Sequence, residues 1–275
     1  MNNILIFYCS ILFVLSINSA KGQGVIVGSN EGKYIEVNKV KLYVEEYGEG
    51  PALLLLHGGF QSMNYFQAVI PELSKTFRVI AVDLPGHGRS YTADSMRIPI
   101  ITDYISNLIE EMELDSLNIL GCSLGSIIAL RLAIEKPEKV KRIISDATIA
   151  DTTFLMDETL AYLKIMKPET QQVFSVEAYK NMNPQGEQWD DFFLEMKKMW
   201  LSSPYIDEDS YELIKSKVLI VMGDRDSTVK LSQSYELYDS IEGSELAIIP
   251  DAGHCICNQK PELFLKILMD FLTKE

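Results

Sequence analysis

The chain has 275 residues, of which 47% are hydrophobic, and its formal net charge is −14. A chain of this size can bury one large core and fold as a single domain. Its acidity disfavours nucleic acid and anionic membrane surfaces as partners, because like charges repel.

The amino terminus resembles an export signal. Residues 4–17 form an apolar stretch that is long enough for a signal core and short for a membrane span, and small residues follow at Ser19, Ala20 and Gly22. We expect residues 1–22 to be cleaved, leaving a periplasmic or secreted domain at 23–275. The alternative is an uncleaved anchor, and only in that case do we expect the chain to contact a membrane.

The next segments predict an α/β sheet. Residues 34–37 and 41–47 alternate polar and apolar side chains, which is typical of a half-exposed hairpin at a sheet edge. Short apolar runs then alternate with helical stretches, as in a mostly parallel sheet with helices on both faces. These runs lie at 53–56, 79–82, 118–120, 143–144 and 219–222.

A glycine-rich loop follows the first of these runs and reads His57-Gly58-Gly59-Phe60. Glycines allow the backbone to approach a substrate closely. We expect the Gly59 amide to stabilise an oxyanion and Phe60 to line the adjoining pocket.

A nucleophile motif ends the third run. Gly121-Cys122-Ser123-Leu124-Gly125 lies between an apolar strand and a helical pattern at 126–135, which is the context that a strained, exposed serine requires. Ser123 is the predicted nucleophile, and the Leu124 amide is the second predicted oxyanion donor.

A serine hydroxyl needs a base to remove its proton, usually a histidine that a carboxylate orients. The chain has three histidines, and only His254 follows Ser123, as the order of serine, acid and histidine requires. His254 is therefore the predicted base.

The acid is predicted from the strand ends between Ser123 and His254. Asp226 follows the apolar strand at 218–222 and the turn residue Gly223, and it is the expected acid. Asp146, at the end of the strand at 140–145, is a rival because that strand end also faces the site. Asp224 is a weaker rival, which we interpret as a turn residue paired with Arg225.

Between about residues 148 and 212 the strand pattern stops, and the segment becomes helical and rich in aromatic residues and methionine. Five large apolar side chains fall on one helical face. We interpret the segment as a helical cap inserted after the sixth strand, with an apolar underside that packs on the core and also forms a substrate pocket. These five are Phe192, Phe193, Met196, Met199 and Trp200.

Together these motifs resemble the α/β-hydrolase superfamily, in particular its capped, single-domain serine hydrolases. The resemblance rests on residues 57–59, 83–90, 121–125, 223–226 and 253–254. It implies an α/β-hydrolase sheet, a Ser123-His254-Asp226 triad, no metal and no organic cofactor. It also implies that His57 and His87 brace loops through hydrogen bonds.

The resemblance does not identify the substrate. We expect an acyl-enzyme mechanism acting on a small molecule, most simply a carboxylic ester of small to medium size and apolar character. Other acyl hydrolases and carbon–carbon bond hydrolases share the fold, and a non-catalytic small-molecule receptor is the alternative from another class.

Without the leader, three cysteines remain at positions 122, 255 and 257, an odd number that does not make a disulfide framework. The crowded spacing of His254, Cys255 and Cys257 also suits a metal poorly. We expect all three cysteines to be small buried side chains, with Cys122 and Cys255 near enough for oxidation to disturb the site.

Overall fold

The computed structural model describes residues 27–29, 31–171 and 173–274. The predicted export signal at 1–22 lies outside these ranges. Within them, no helix is both long and apolar enough to cross a bilayer.

Eight strands form one sheet in the order β1-β2-β4-β3-β5-β6-β7-β8. Strands β1 and β2 make the antiparallel edge hairpin that the alternating pattern predicts, and β2 pairs antiparallel with β4. The pairs from β4 to β8 are all parallel. The strands are β1 Lys33–Val37, β2 Val40–Tyr47, β3 Ala52–Leu56, β4 Arg78–Val82, β5 Leu117–Cys122, β6 Val140–Asp146, β7 Lys217–Gly223 and β8 Glu245–Ile249.

Helices cover both faces of the sheet, as a buried parallel sheet requires. Within β3, Leu54 and Leu56 face one apolar cluster, and Leu53 and Leu55 face the other, because side chains alternate along a strand. The α-helices are α1 Ile70–Leu73, α2 Ile98–Glu111, α3 Leu124–Glu135, α4 Asp157–Ile165, α5 Val173–Met182, α6 Trp189–Trp200, α7 Ser232–Ser240 and α8 Pro261–Thr273.

The segment between β6 and β7 is helical, as predicted for a cap. It contains α4, α5 and α6 with several short 3₁₀ turns, and the five apolar side chains predicted for one helical face are all buried in α6. The Asn183 amide nitrogen holds the cap to the loop after β4, donating to the carbonyls of Gly86, Gly88 and Ser90 at 3.0 to 3.3 Å. The cap therefore lies over the carboxyl ends of the central strands.

Candidate active site

Ser123 occupies a sharp turn between β5 and α3, as the motif predicts. It is the single residue between the two elements, and its φ of 51° and ψ of −112° lie where residues with a Cβ are strained. The turn brings α3 close to the sheet, so that a Cβ on Gly125 would overlap the carbonyl of Leu56. The glycine at that position is therefore required by packing, and the close packing of α3 on the sheet keeps Ser123 in its strained conformation.

His254 and Asp226 form a hydrogen-bonded pair. The distance from His254 Nδ1 to Asp226 Oδ2 is 2.8 Å, and the Asp226 side chain is only 2% exposed. The other oxygen of Asp226 accepts from the amides of Thr228 and Val229 at 2.7 and 3.0 Å. The carboxylate is thus fixed by its own turn, and one oxygen faces the imidazole.

The two rival acids have other contacts. Asp224 Oδ1 accepts from the Asp251 amide at 2.6 Å and lies 3.8 Å from Arg225 Nε, as expected for a turn residue. Asp146 is fully buried at the end of β6, and its Oδ2 accepts from the Ile256 amide at 3.2 Å. Neither carboxylate forms a hydrogen bond with His254.

The surroundings of His254 favour its protonated form. Burial acts to lower the pKa of this imidazole, but the charge and hydrogen bond of Asp226 outweigh burial, and Asp146 adds to them, so the pKa lies above its usual value of 6.5. An imidazolium between carboxylates is the state that a general base reaches after it accepts a proton.

Ser123 and His254 lie in segments that their neighbouring cysteines bring together. In the described part of the chain, the ring of His254 bonds to Asp226 and makes no hydrogen bond to the Ser123 hydroxyl. Their neighbours Cys122 and Cys255 have Cα atoms 6.2 Å apart. Chain geometry then keeps the Cα atoms of Ser123 and His254 within roughly 14 Å of each other. Such a bond often forms only with substrate present.

The glycine loop packs between Ser123 and the cap. A Cβ on Gly58 would lie 3.4 Å from Ser123 Cβ, and one on Gly59 would lie 3.0 Å from Trp200 and 3.2 Å from Met196. Leu124 is the first residue of α3, where amides have no acceptor inside the helix. Both predicted oxyanion donors therefore lie in segments that adjoin Ser123.

Aromatic rings from the cap surround Phe60. The centroid of its ring lies 5.6 Å from Phe193, 5.8 Å from Phe192 and 6.1 Å from Trp189. These rings carry no charge, so the cap presents an apolar wall beside the glycine loop. This placement is what a pocket for an apolar group requires.

His57 and His87 brace the loops, as the resemblance implies. The Leu84 amide donates to His57 Nε2 at 3.0 Å, and His87 Nδ1 lies 2.9 Å from the Pro85 carbonyl. Burial lowers the pKa of His87 to about 4 and lowers that of His57 well below its usual value. Both rings are therefore neutral at pH 7, and they lie among backbone groups.

One expectation about the cysteines was wrong. Cys122 and Cys255 are buried, as expected, but they are joined as a disulfide and are not separate apolar side chains. Cys257 is a buried free thiol, which agrees with the prediction. The expected nearness of Cys122 and Cys255 is confirmed, since their Cα atoms lie 6.2 Å apart, but the odd number of cysteines had argued against a disulfide between them.

Tyr65 was also missed. Its hydroxyl donates to Asp146 Oδ2 at 3.4 Å and accepts from the Cys257 amide at 3.2 Å. Nothing in the sequence marks a tyrosine in the loop after β3 as part of this site, because both of its partners are distant in the chain.

A family model described as the alpha/beta hydrolase fold matches residues 51–188, about half of the sequence. The chain belongs to this family.

Among individual proteins, a 2-hydroxy-6-oxo-2,4-heptadienoate hydrolase of Pseudomonas putida is 23% identical, covering 90% of this chain and 99% of that protein. A pimeloyl-[acyl-carrier protein] methyl ester esterase of Nitrosospira multiformis is 36% identical over 41% of this chain and 44% of its own length. The structure of a carboxylesterase from Bacillus subtilis aligns with a TM-score of 0.72 at 20% identity, covering 88% of this chain and 91% of that one.

Proposed function

We propose that this protein is a serine hydrolase with Ser123, His254 and Asp226 as its catalytic residues, acting as a carboxylesterase on neutral esters of small to medium size. The observation that carries the proposal is the pair of His254 and a buried Asp226, 2.8 Å apart, in loops that adjoin the strained turn of Ser123. Histidine and carboxylate in this arrangement activate a serine hydroxyl.

The mechanism follows from these positions. His254 removes the proton of Ser123 as its oxygen attacks the ester carbonyl, and Asp226 stabilises the resulting imidazolium. The amides of Gly59 and Leu124 donate to the oxyanion. His254 then gives its proton to the departing alcohol. In the second half, it activates water to release the acid.

The apolar cap supports a neutral ester as the substrate. The aromatic rings around Phe60 come from Trp189, Phe192 and Phe193, and this group contains no cation to pair with an anionic substrate. Such a surface suits an apolar acyl or alkyl group. The esterase from Nitrosospira multiformis is consistent with ester hydrolysis, although it matches less than half of this chain.

Carbon–carbon bond hydrolysis is the second candidate. The Pseudomonas putida hydrolase of a 2-hydroxy-6-oxo-dienoate matches this chain over 90% of its length. That substrate carries a carboxylate, which would need a positively charged or strongly donating group within the pocket.

A panel of substrates separates the candidates. We expect p-nitrophenyl acetate and butyrate to be hydrolysed with a kcat/KM far above that of a 2-hydroxy-6-oxo-dienoate. The opposite order would favour carbon–carbon bond hydrolysis.

A fluorophosphonate probe tests the nucleophile and the receptor alternative. Labelling of the native protein that disappears in Ser123→Ala supports the enzyme. Ser126→Ala, one turn further along α3, is the matched control and should keep the label. A folded native protein that takes no label would favour a non-catalytic receptor.

A further inference from the structure

A second buried carboxyl group lies beside the predicted catalytic pair. Asp146 ends β6, between β5, which leads to Ser123, and β7, which leads to Asp226. It is paired in register with Cys122 on one side and Val221 on the other. Its side chain is 0% exposed.

The contacts of Asp146 join the nucleophile to the histidine loop. Its backbone carbonyl accepts from the Ser123 amide at 2.8 Å. Its side-chain oxygen Oδ2 accepts from the amide of Ile256, two residues after His254, and from the Tyr65 hydroxyl. A single buried side chain thus contacts the loop that carries the predicted base.

The other side-chain oxygen, Oδ1, has no hydrogen-bond partner among the described residues. Leaving a buried carboxylate oxygen without a donor is unfavourable, because burial removes its hydration and no hydrogen bond replaces it. A carboxyl group needed only to hold the Ile256 amide could be an asparagine, which offers the same acceptor without a charge.

Four titratable groups face Asp146 from the surrounding elements. They are Tyr65 in the loop after β3, Asp226 after β7, and His254 and Cys257 in the loop before α8. Burial and the charge of Asp226 together raise the pKa of Asp146 to about 7, against the opposing effects of its backbone donor, of His254 and of Tyr65. Asp146 in turn raises the pKa of His254.

We propose that Asp146 is a positioning residue that holds the loop following His254 and adds its negative charge to that of Asp226 in stabilising the imidazolium. The proposal rests on the proposed function, because the imidazolium forms when His254 accepts the proton of Ser123. No bond to Asp146 forms or breaks in this step. Its charge acts fully only at alkaline pH, because a carboxyl group with a pKa of about 7 is half protonated at neutral pH.

The test is Asp146→Asn, which keeps the size and an acceptor oxygen and removes the charge. Proton NMR follows the titration of His254 directly, without any need for turnover. We expect the titration, and the acid limb of the kcat/KM profile, to move to lower pH. Above pH 8, kcat should fall by about tenfold, which is the effect of losing one charge interaction of ordinary strength.

The matched control is Asp224→Asn. This carboxylate lies in the same loop as Asp226 but accepts from the Asp251 amide, so its loss should leave the His254 titration in place. In an Asp226→Asn background, adding Asp146→Asn should lower the remaining activity by a further factor of about ten. A purely structural role for Asp146 would lower stability and leave the His254 titration unchanged.

The proposal is wrong if Asp146→Asn leaves the His254 titration at the wild-type pH, or if the double variant is as active as Asp226→Asn alone. If Asp146→Asn does not fold, carbon-13 NMR of the Asp146 carboxyl group gives the reciprocal test. The pH at which Asp146 ionises must then be higher in His254→Gln than in the wild type, because the imidazolium lowers the pKa of Asp146, and an equal value overturns the proposal. Absence of fluorophosphonate labelling in the wild type would refute the proposed function instead, and the NMR result would still decide the electrostatic role.

Discussion

Reduction of the disulfide between Cys122 and Cys255 should lower the stability of the protein substantially. The bond joins positions 133 residues apart. A cross-link of this span removes conformational entropy from the unfolded chain, and the chain-entropy relation gives a stabilisation of ~5 kcal/mol. The perturbation is a thiol reductant added during unfolding, because both sulfur atoms are buried in the native protein.

Equilibrium unfolding in urea, with and without reductant, measures this effect. We expect the reductant to move the wild-type midpoint to lower urea, and to leave the midpoint of a Cys122→Ala, Cys255→Ala double variant in place. Thiol titration of the unfolded, unreduced protein counts the cysteines that are not in a disulfide. A mature chain that begins after the predicted leader should show one thiol, from Cys257, and three after reduction.

The same bond connects the residue before the predicted nucleophile to the residue after the predicted base. Reduction should therefore lower kcat/KM, but by less than the ~100-fold that a misplacement of 1 Å can cost, because Asp226 still holds the imidazole. Equal urea midpoints for the wild type with and without reductant, or three thiols in the unreduced chain, would refute this reasoning.

Three further predictions concern the cap and the base. Gly59→Ala places a Cβ 3.0 Å from an aromatic carbon of the cap, so we expect the free energy of unfolding to fall by about 1–3 kcal/mol and kcat/KM to decrease. Gly253→Ala, with its nearest contact at 3.5 Å, should leave the free energy of unfolding unchanged. Phe192→Ala removes a ring that is 2% exposed and should lower the free energy of unfolding in urea by about 3–5 kcal/mol. Leu194→Ala, on the outer face of the same helix and 51% exposed, should stay within about 0.5 kcal/mol of the wild type, and equal losses for the two would contradict the packing of α6. Finally, kcat/KM should fall as the pH drops through the pKa of His254, because the protonated ring cannot act as a base, and an acid limb centred below pH 6.5 would contradict the raised pKa.

The parts of the fold that follow from local pattern could be predicted from the sequence. The apolar runs indicate the strands, although their ends extend further than the apolar residues do. The run at 143–144, for example, belongs to a strand that covers Val140–Asp146. Val140 and Arg142 both pair with β5, on either side of a register shift at Lys141, and the two charged side chains interrupt the apolar pattern. The hairpin, the sharp turn at Ser123 and the helical cap follow from spacing and turn chemistry in the same way.

The contacts between distant segments could not be predicted from local pattern. Asp226 was preferred to Asp146 because of its position after a strand and a glycine, and the hydrogen bond to His254 agrees with that preference. The links from Asp146 to Tyr65 and to the Ile256 amide join residues 81 and 110 positions apart. Local periodicity contains no information about such links, because only the sheet order brings the segments together.

The structure also explains why these missed contacts converge on one loop. The register of adjacent strands fixes the ends of β5, β6 and β7, and with them Ser123, Asp146 and the turn of Asp226. His254 lies in a loop after β8, beyond these three strand ends. Strand pairing alone therefore does not fix the position of its ring.

Three contacts from the neighbouring strand ends hold that loop: the bond of Asp226 to the imidazole, the bond of Asp146 to the Ile256 amide, and the link of Cys122 to Cys255. Each contact acts within two residues of His254 and comes from a different strand end. A base that must be aligned to a fraction of an ångström requires such support where its own element supplies none. We therefore expect variants of these supporting residues to reduce kcat more than they weaken substrate binding, because they displace the base and leave the apolar cap intact.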